Sequence, residues 1–255
     1  MEFILNFRGN DIRVGTAWAR GPGAYKRKTK GEGMKKTFVI AAMIGLLVAG
    51  LTGSAMAQGE VYPIQLSLFN PIQIFPEDTS VSGLRINFIY GLNQNVTGLD
   101  LGLANVIKGD LKGASYGLIT YTEGNVMGEQ GGIVNAVMGD VAGGAFGLVN
   151  YVEGDVAGGA GGLVTVVQGS VKGGSFGFIN YINGDVGGMQ YGFINYAPKL
   201  DGLQVGALNY TDEMNGFQLG LLNWTAKLQG LQIGLLNIAT EKEMLPVLPF
   251  VNAAW

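Results

Sequence analysis

The chain has no cysteine and no histidine among its 255 residues. Without Cys an exported product gains no disulfides. With both residue types missing, most zinc sites and the His-dependent catalytic triads are excluded. Charge is scarce too, at 14% of residues. After residue 57 there are seven Lys/Arg against sixteen Asp/Glu, a net charge of −9, so there is no basic footprint for nucleic acid. Proline is absent from Val81 to Ala197, and nothing there removes a donor from a sheet ladder.

Long apolar runs are also missing, with one exception. Thr37 to Leu51 is almost wholly apolar, follows Met34-Lys35-Lys36, and leads to Ala55-Met56-Ala57 before Gln58. A basic start, a short apolar stretch and a small-x-small ending describe a secretory signal peptide, and the stretch is short for a membrane helix. Signal peptides begin at the first residue, so Met34 is expected to be the true start. Residues 1–33 then read as translated upstream DNA, since Lys30-Gly31-Glu32-Gly33 can be spelled by a purine-rich ribosome-binding site, with a long natural leader as the alternative. Residues 34–57 are the expected signal peptide, and the mature chain is expected to begin at Gln58.

What the chain has in abundance is repetition. Val-x-Gly-x-x-x-Gly-(Leu/Phe)-(Val/Ile)-Asn-Tyr-x-x-Gly-Asp is clearest in Val141 to Asp155. Related units start at Val81, Val96, Leu111, Val126, Val141, Val156, Val171 and Val186, fifteen apart, then at Leu200, Met214 and Leu228, fourteen apart. The period changes where turns ending Gly-Asp give way to Ala197-Pro198-Lys199 and Thr225-Ala226-Lys227. Function in such an array comes from a shape built by stacking.

One unit reads as strand. From Leu231 to Leu235 the alternation is strict, with Leu, Ile and Leu on one face and Gln and Gly on the other. A bend near Asn237 would bring Leu236 and Ile238 to the same interior. Helix is a poor alternative, because Gly recurs twice per unit and each costs about 1 kcal/mol relative to Ala in a helix. The fold class is therefore all-β. A β-solenoid of about eleven 14–15-residue coils is expected, and an antiparallel outer-membrane barrel is the alternative.

A column of amides favours the solenoid. Asn105, Asn135, Asn150, Asn180, Asn195, Asn209, Asn223 and Asn237 share one repeat position, with Thr120 and Thr165 substituting. Stacked coils bring such amides within bonding distance of each other, whereas a lipid-facing amide on a barrel strand lacks partners. A thirty-residue alternation of size (Tyr116, Phe146 and Phe176 against Gly131 and Gly161) fits either a barrel hairpin or rings on every second coil. The terminal Trp255 is a second barrel-like feature. Residues 81–240 are the expected array. Residues 58–80, with Pro63, Pro71 and Pro76, read as an N-terminal β cap, and 241–255, with Pro246 and Pro249, as the C-terminal cap.

The units Gly202-Leu203-Gln204-Val205-Gly206-Ala207-Leu208-Asn209 and Gly230-Leu231-Gln232-Ile233-Gly234-Leu235-Leu236-Asn237 resemble the Gly-Leu-Gln-x-Gly-Leu-x-Asn units of bacterial surface repeat-containing proteins. The resemblance spans about residues 81–240. It implies an exported product at the cell surface or outer membrane, with no known reaction, ligand or functional residues to carry over. The middle repeats depart from it, since Gly143-Gly144-Ala145-Phe146-Gly147 lacks the Leu-Gln pair.

Few residues invite a chemical role. Gly158-Gly159-Ala160-Gly161-Gly162 lies in repeat register without a following Lys-Ser/Thr, so it is not a phosphate loop. Asp110, Asn125, Asp140, Asp155 and Asp185 form a column at the Gly-Asp turns. Oxygen ligands suit calcium, but Asx beside Gly is first of all turn chemistry. Gln190, Gln204, Gln218 and Gln232, with Asp100 and Ser115 earlier, are expected to form an outward polar row. Tyr196, Tyr210 and Trp224 are expected to stack in the core rather than form a carbohydrate platform. The sequon Asn95-Val96-Thr97 is incidental in a chain with a bacterial-type export signal. No catalytic, cofactor-binding or metal residue is assigned. The reading is a non-catalytic exported surface or envelope module, structural or adhesive, with the outer-membrane barrel scaffold as alternative. Its partner would be an envelope or extracellular polymer, and membrane association is left open.

Overall fold

The computed structural model describes residues 59–255, so the expected upstream translation (1–33) and signal peptide (34–57) lie outside the described residues. The described chain is all strand and turn. β1 (Val61–Phe69), β2 (Ile72–Gln73), β3 (Ser80–Asn93) and β4 (Val96–Ile107) precede a coil split into β5 (Leu111–Tyr116) and β6 (Ile119–Thr122). β7 (Val126–Val137), β8 (Val141–Val152), β9 (Val156–Val167) and β10 (Val171–Ile182) are one strand per coil. β11 (Val186–Val205), β12 (Leu208–Ala239) and β13 (Val247–Ala254) complete the chain. Val141 pairs in parallel with Val126 and Val156, and Asn150 with Asn135 and Thr165. Each repeat is thus one coil of a β-solenoid of about eleven turns, and the barrel alternative is set aside because successive repeats pair in parallel.

Positions are counted here from 1 (Val141) to 15 (Asp155). Only positions 1, 5, 10 and 12 point inward throughout (Val141, Ala145, Asn150 and Val152). The corner after position 1 is made by glycine. Gly143, Gly158 and Gly173 have φ near +130°, and a Cβ on Gly173 would lie 2.1 Å from the Gly158 carbonyl oxygen below. Neither the backbone angle nor the coil spacing admits another residue there. In the fourteen-residue coils the Gly-Asp turn loses its last residue, and β11 and β12 run on through the corner where fifteen-residue coils leave the sheet.

The interior has two chemistries. Positions 1 and 12, next to the Gly-Asp turns, carry Val126, Val137, Val152, Val167, Val171 and Ile182, all fully buried, and form the apolar core. Position 10 carries Asn in most coils, with Thr120 and Thr165 in two, and position 5 carries Gln130, Gln190, Gln204, Gln218 and Gln232, with Ala145, Ala160 and Ser175 in the middle coils. Asn Nδ2 donates to the Oδ1 of the following coil, as in Asn135 to Asn150 at 2.8 Å, Asn180 to Asn195 at 2.9 Å and Asn209 to Asn223 at 2.8 Å. The same nitrogens also reach the bend of the next coil, for example Asn150 to the Gly161 carbonyl at 2.7 Å. Gln Nε2 donates the other way, from Gln204 to Gln190 at 2.6 Å, Gln218 to Gln204 at 2.7 Å and Gln232 to Gln218 at 2.8 Å. Gln190 also crosses the interior to the Tyr196 carbonyl of its own coil, at 3.0 Å, which ties the two walls together.

The buried Gln lane corrects the expected outward polar row. Gln190, Gln204, Gln218 and Gln232 are all buried, and so are Asp100 and Ser115. The apolar set expected inside is outside, with Ile233 42% and Leu235 62% exposed. Alternation fixes which residues share a face but not which face is the interior. The bend is also different from expectation, since it unites Asn237 with Gln232 inside and leaves Leu236 at the surface.

Both ends close the stack. β1 pairs in parallel with β3, with Gln65 opposite Arg85, so the N-terminal segment adds one more coil to the Gln lane before its β2 hairpin. β13 turns back antiparallel on β12 and sets Asn252 opposite Gln232. Replacing Asn150 by Leu removes the acceptor of Asn135 and the donor to Gly161. The expected cost is about 1–3 kcal/mol for each group left unpaired, read as a lower midpoint in denaturant unfolding. Asn150→Thr should cost less, because Thr120 holds this position and donates to Asn135. An unchanged or raised midpoint for Asn150→Leu would contradict the buried ladder.

Candidate functional surface

The two walls of each coil meet at a bend over positions 6 to 9. Backbone pairing between coils lapses at position 8, where Gly177 pairs with Gly192 and Ile179 with Ile194 while Phe178 and Phe193 project outward. Position 8 is the tip of the coil, and along the stack it carries Leu103, Leu118, Ile133, Leu148, Leu163, Phe178, Phe193, Leu221 and Leu235. These side chains are about half exposed, Leu148 at 56% and Leu221 at 57%. Position 6 on one wall adds Tyr116, Phe146, Phe176, Tyr191, Leu219 and Ile233. Across positions 6 to 11 no coil from Ile86 to Ile238 has a charged residue.

Aromatic rings smooth this surface. The Phe146 ring lies over Gly144 in its own coil and over Gly159 and Gly161 in the next, and Tyr116 lies over Gly131. The thirty-residue alternation of size therefore lets one ring cover the glycines of its neighbour. On the other wall, position 11 forms a stack. Tyr181 and Tyr196 are 4.8 Å apart between centroids, Tyr196 and Tyr210 5.4 Å, and Tyr210 and Trp224 4.1 Å. The column stacks as expected, but on the outer surface rather than in the core, with Tyr210 38% exposed. Desolvation, then the Asp212 carboxylate, raises the Tyr196 and Tyr210 phenols above their ordinary value.

Surface charge, with Glu129 at position 4 as the exception, is gathered at the opposite edge, around positions 12 to 2. There the Asx column is tied into the backbone. Asp110 accepts the N–H of Asn125 at 2.9 Å, Asn125 that of Asp140 at 2.8 Å, Asp140 that of Asp155 at 2.8 Å, and Asp155 that of Ser170 at 2.7 Å. Asp185 donates its own N–H to Ser170 Oγ at 3.2 Å. The column is a structural ladder, consistent with Asx turn chemistry. Among the described residues no group of three or more His, Cys, Asp or Glu is placed to hold a metal ion.

One charged cluster lies inside. Arg85 and Asp100 occupy position 5 of consecutive coils, both side chains fully buried, and form a bidentate pair with Nε to Oδ1 and Nη2 to Oδ2 both 2.7 Å. Ser115 Oγ donates to Asp100 Oδ2 at 2.7 Å and Asn87 Nδ2 to Oδ1 at 3.0 Å, while Arg85 Nη1 reaches the Val106 carbonyl at 3.0 Å. Every Asp100 oxygen is engaged, which marks the cluster as a structural joint. Sequence reasoning missed the pair, although opposite charges fifteen apart in the Gln column were the available signal. Asn87 also fills the space above Gly91 and donates to Asn105 Oδ1 at 2.9 Å, starting the Asn lane where β3 carries an extra residue.

Comparison with protein-family models, curated proteins and solved structures found no match. The chain's own surface is therefore the basis for a functional reading. The buried pair yields a direct check. Asp100→Gln leaves the Arg85 charge uncompensated and is expected to cost about 3–5 kcal/mol. The double variant Arg85→Gln/Asp100→Gln, which continues the amide lane, should recover most of that loss in thermal unfolding. Equal losses in the single and double variants would contradict the proposed role of the ion pair.

Proposed function

We propose that the protein is an exported, non-catalytic module of the cell envelope or cell surface, a rigid structural element that presents a long repetitive face to a partner. The observation that carries this reading is the inversion of polarity along the stack: polar side chains, in most coils an amide, inside the tip, and apolar side chains outside it. Monomeric soluble proteins rarely expose contiguous apolar patches above a few hundred Å². A continuous apolar tip along about eleven coils is therefore a built contact surface. The signal-peptide pattern before Gln58, the absence of Cys and His, and the resemblance to surface repeat-containing proteins support the same reading. So does the solid interior: the two lanes of amides and the core fill the space between the walls.

Cell fractionation with N-terminal sequencing tests it. The protein should be recovered from envelope or extracellular material, begin at Gln58, and show no heat-modifiable gel mobility. A product that starts at Met1 or stays in the cytoplasm would contradict the reading.

A further inference from the structure

We propose that the charge-free tip of the solenoid docks into the surface of a zwitterionic lipid bilayer, with the coil axis lying along the membrane; the proposal rests on the envelope reading above. Gln at position 5 bonds across to the carbonyl at position 11, as in Gln190 to Tyr196, so positions 6 and 11 face outward from opposite walls. From position 6 to position 11 both walls and the bend between them are apolar on the outside, and a surface charge beside them, Glu129 at position 4, accepts from the Tyr116 hydroxyl at 2.7 Å. A rigid second copy would cover one wall and leave the other in water, whereas a fluid hydrocarbon surface conforms to a convex tip and reaches both.

Three further features select lipid. The column at position 11 carries Tyr151, Tyr181, Tyr196, Tyr210 and Trp224 between the apolar tip and the charged edge. Tyr and Trp concentrate at membrane–water interfaces because one end of the ring is apolar and the other polar. Second, the tip backbone is bonded within the protein at many of its bends. Bend carbonyls accept from Asn150, Asn195 and Asn223, and the N–H groups of Leu118, Ala207 and Leu221 donate to the coil before, so these groups enter a low-dielectric region already paired. Third, Ala207 interrupts the tip column and opens an apolar groove of about 690 Å³ between Phe193 and Leu221, a space that a flexible acyl chain fills. The acidic balance after residue 57 favours zwitterionic over anionic headgroups.

The exported protein should float with phosphatidylcholine vesicles and stay bound in high salt, because apolar burial rather than charge holds it. Leu148→Glu/Leu163→Glu/Leu221→Glu should lower the vesicle-bound fraction by about tenfold or more. Leu→Ser at the same three sites should weaken binding less, and serves if the Glu variant misfolds by circular dichroism. Glu153→Gln/Asp155→Asn, on the opposite edge, should bind as the parent does. In the parent, phosphatidylcholine brominated on its acyl chains should quench Trp fluorescence. Failure to float, or binding unaffected by folded tip variants, overturns the proposal. So does a stable dimer in light scattering that the same variants dissociate, since a second copy would then be the occupant. An envelope-bound chain that fails to float defeats lipid docking alone; a chain retained in the cytoplasm defeats the wider reading.

Discussion

A coil of fourteen or fifteen residues encloses very little, and the number of side chains that fit inside governs the rest of the structure. Four inward positions must fill the space between two walls and answer the polar groups of two bends. Next to the Gly-Asp turns, Val and Ile suffice because the Asx ladder outside binds the turn backbone. At the tip there is no external ladder, and the bonding is done from within by Asn and Gln. These two lanes donate in opposite directions along the axis, so their dipoles oppose one another. From Gln190 to Gln232 and from Asn180 to Asn237 like rungs bond in series, so a change in one is felt by its neighbours.

The outer surface follows from this interior. With the amides inside, the residues of the other parity point out, and those are Leu, Ile, Phe and Tyr. Substituting them does not open the core, so nothing in the folding of the stack requires them to be apolar. An apolar residue at position 8 in ten of the eleven coils, and Ala207 in the other, therefore points to contact with something apolar. The charges occupy the far edge, where Lys227 and Glu213 pair across coils.

Much of this was legible in the residues. The period gave the coil, the Asn column gave the stacking, and the Gly-Asp turns gave one edge. The parallel register of Val141 with Val156 follows from the same spacing. Sidedness was not legible, because the Leu231–Leu235 alternation is symmetric in its parity and the usual rule sends Leu inward. Here that rule fails: Gln232 is inside and Leu235 outside. Two clues favoured the observed side. Every charge avoids positions 6 to 11, and the opposite charges Arg85 and Asp100 sit fifteen apart in the position-5 column that Gln occupies elsewhere. The register of β1 with β3 was not legible either, since the prolines and the hairpin hide it.

The inverted sidedness can be measured directly, because the chain has no native cysteine. Single cysteines placed through one coil, at Phe217, Gln218, Leu219, Leu221 and Asn223, can be labelled with a maleimide in the folded protein without lipid. Reaction should be fast at Phe217, Leu219 and Leu221, and slow at Gln218 and Asn223 until denaturant is added. Protection of Leu219 and Leu221 with rapid labelling of Gln218 would place the apolar face inside and contradict the amide-filled solenoid.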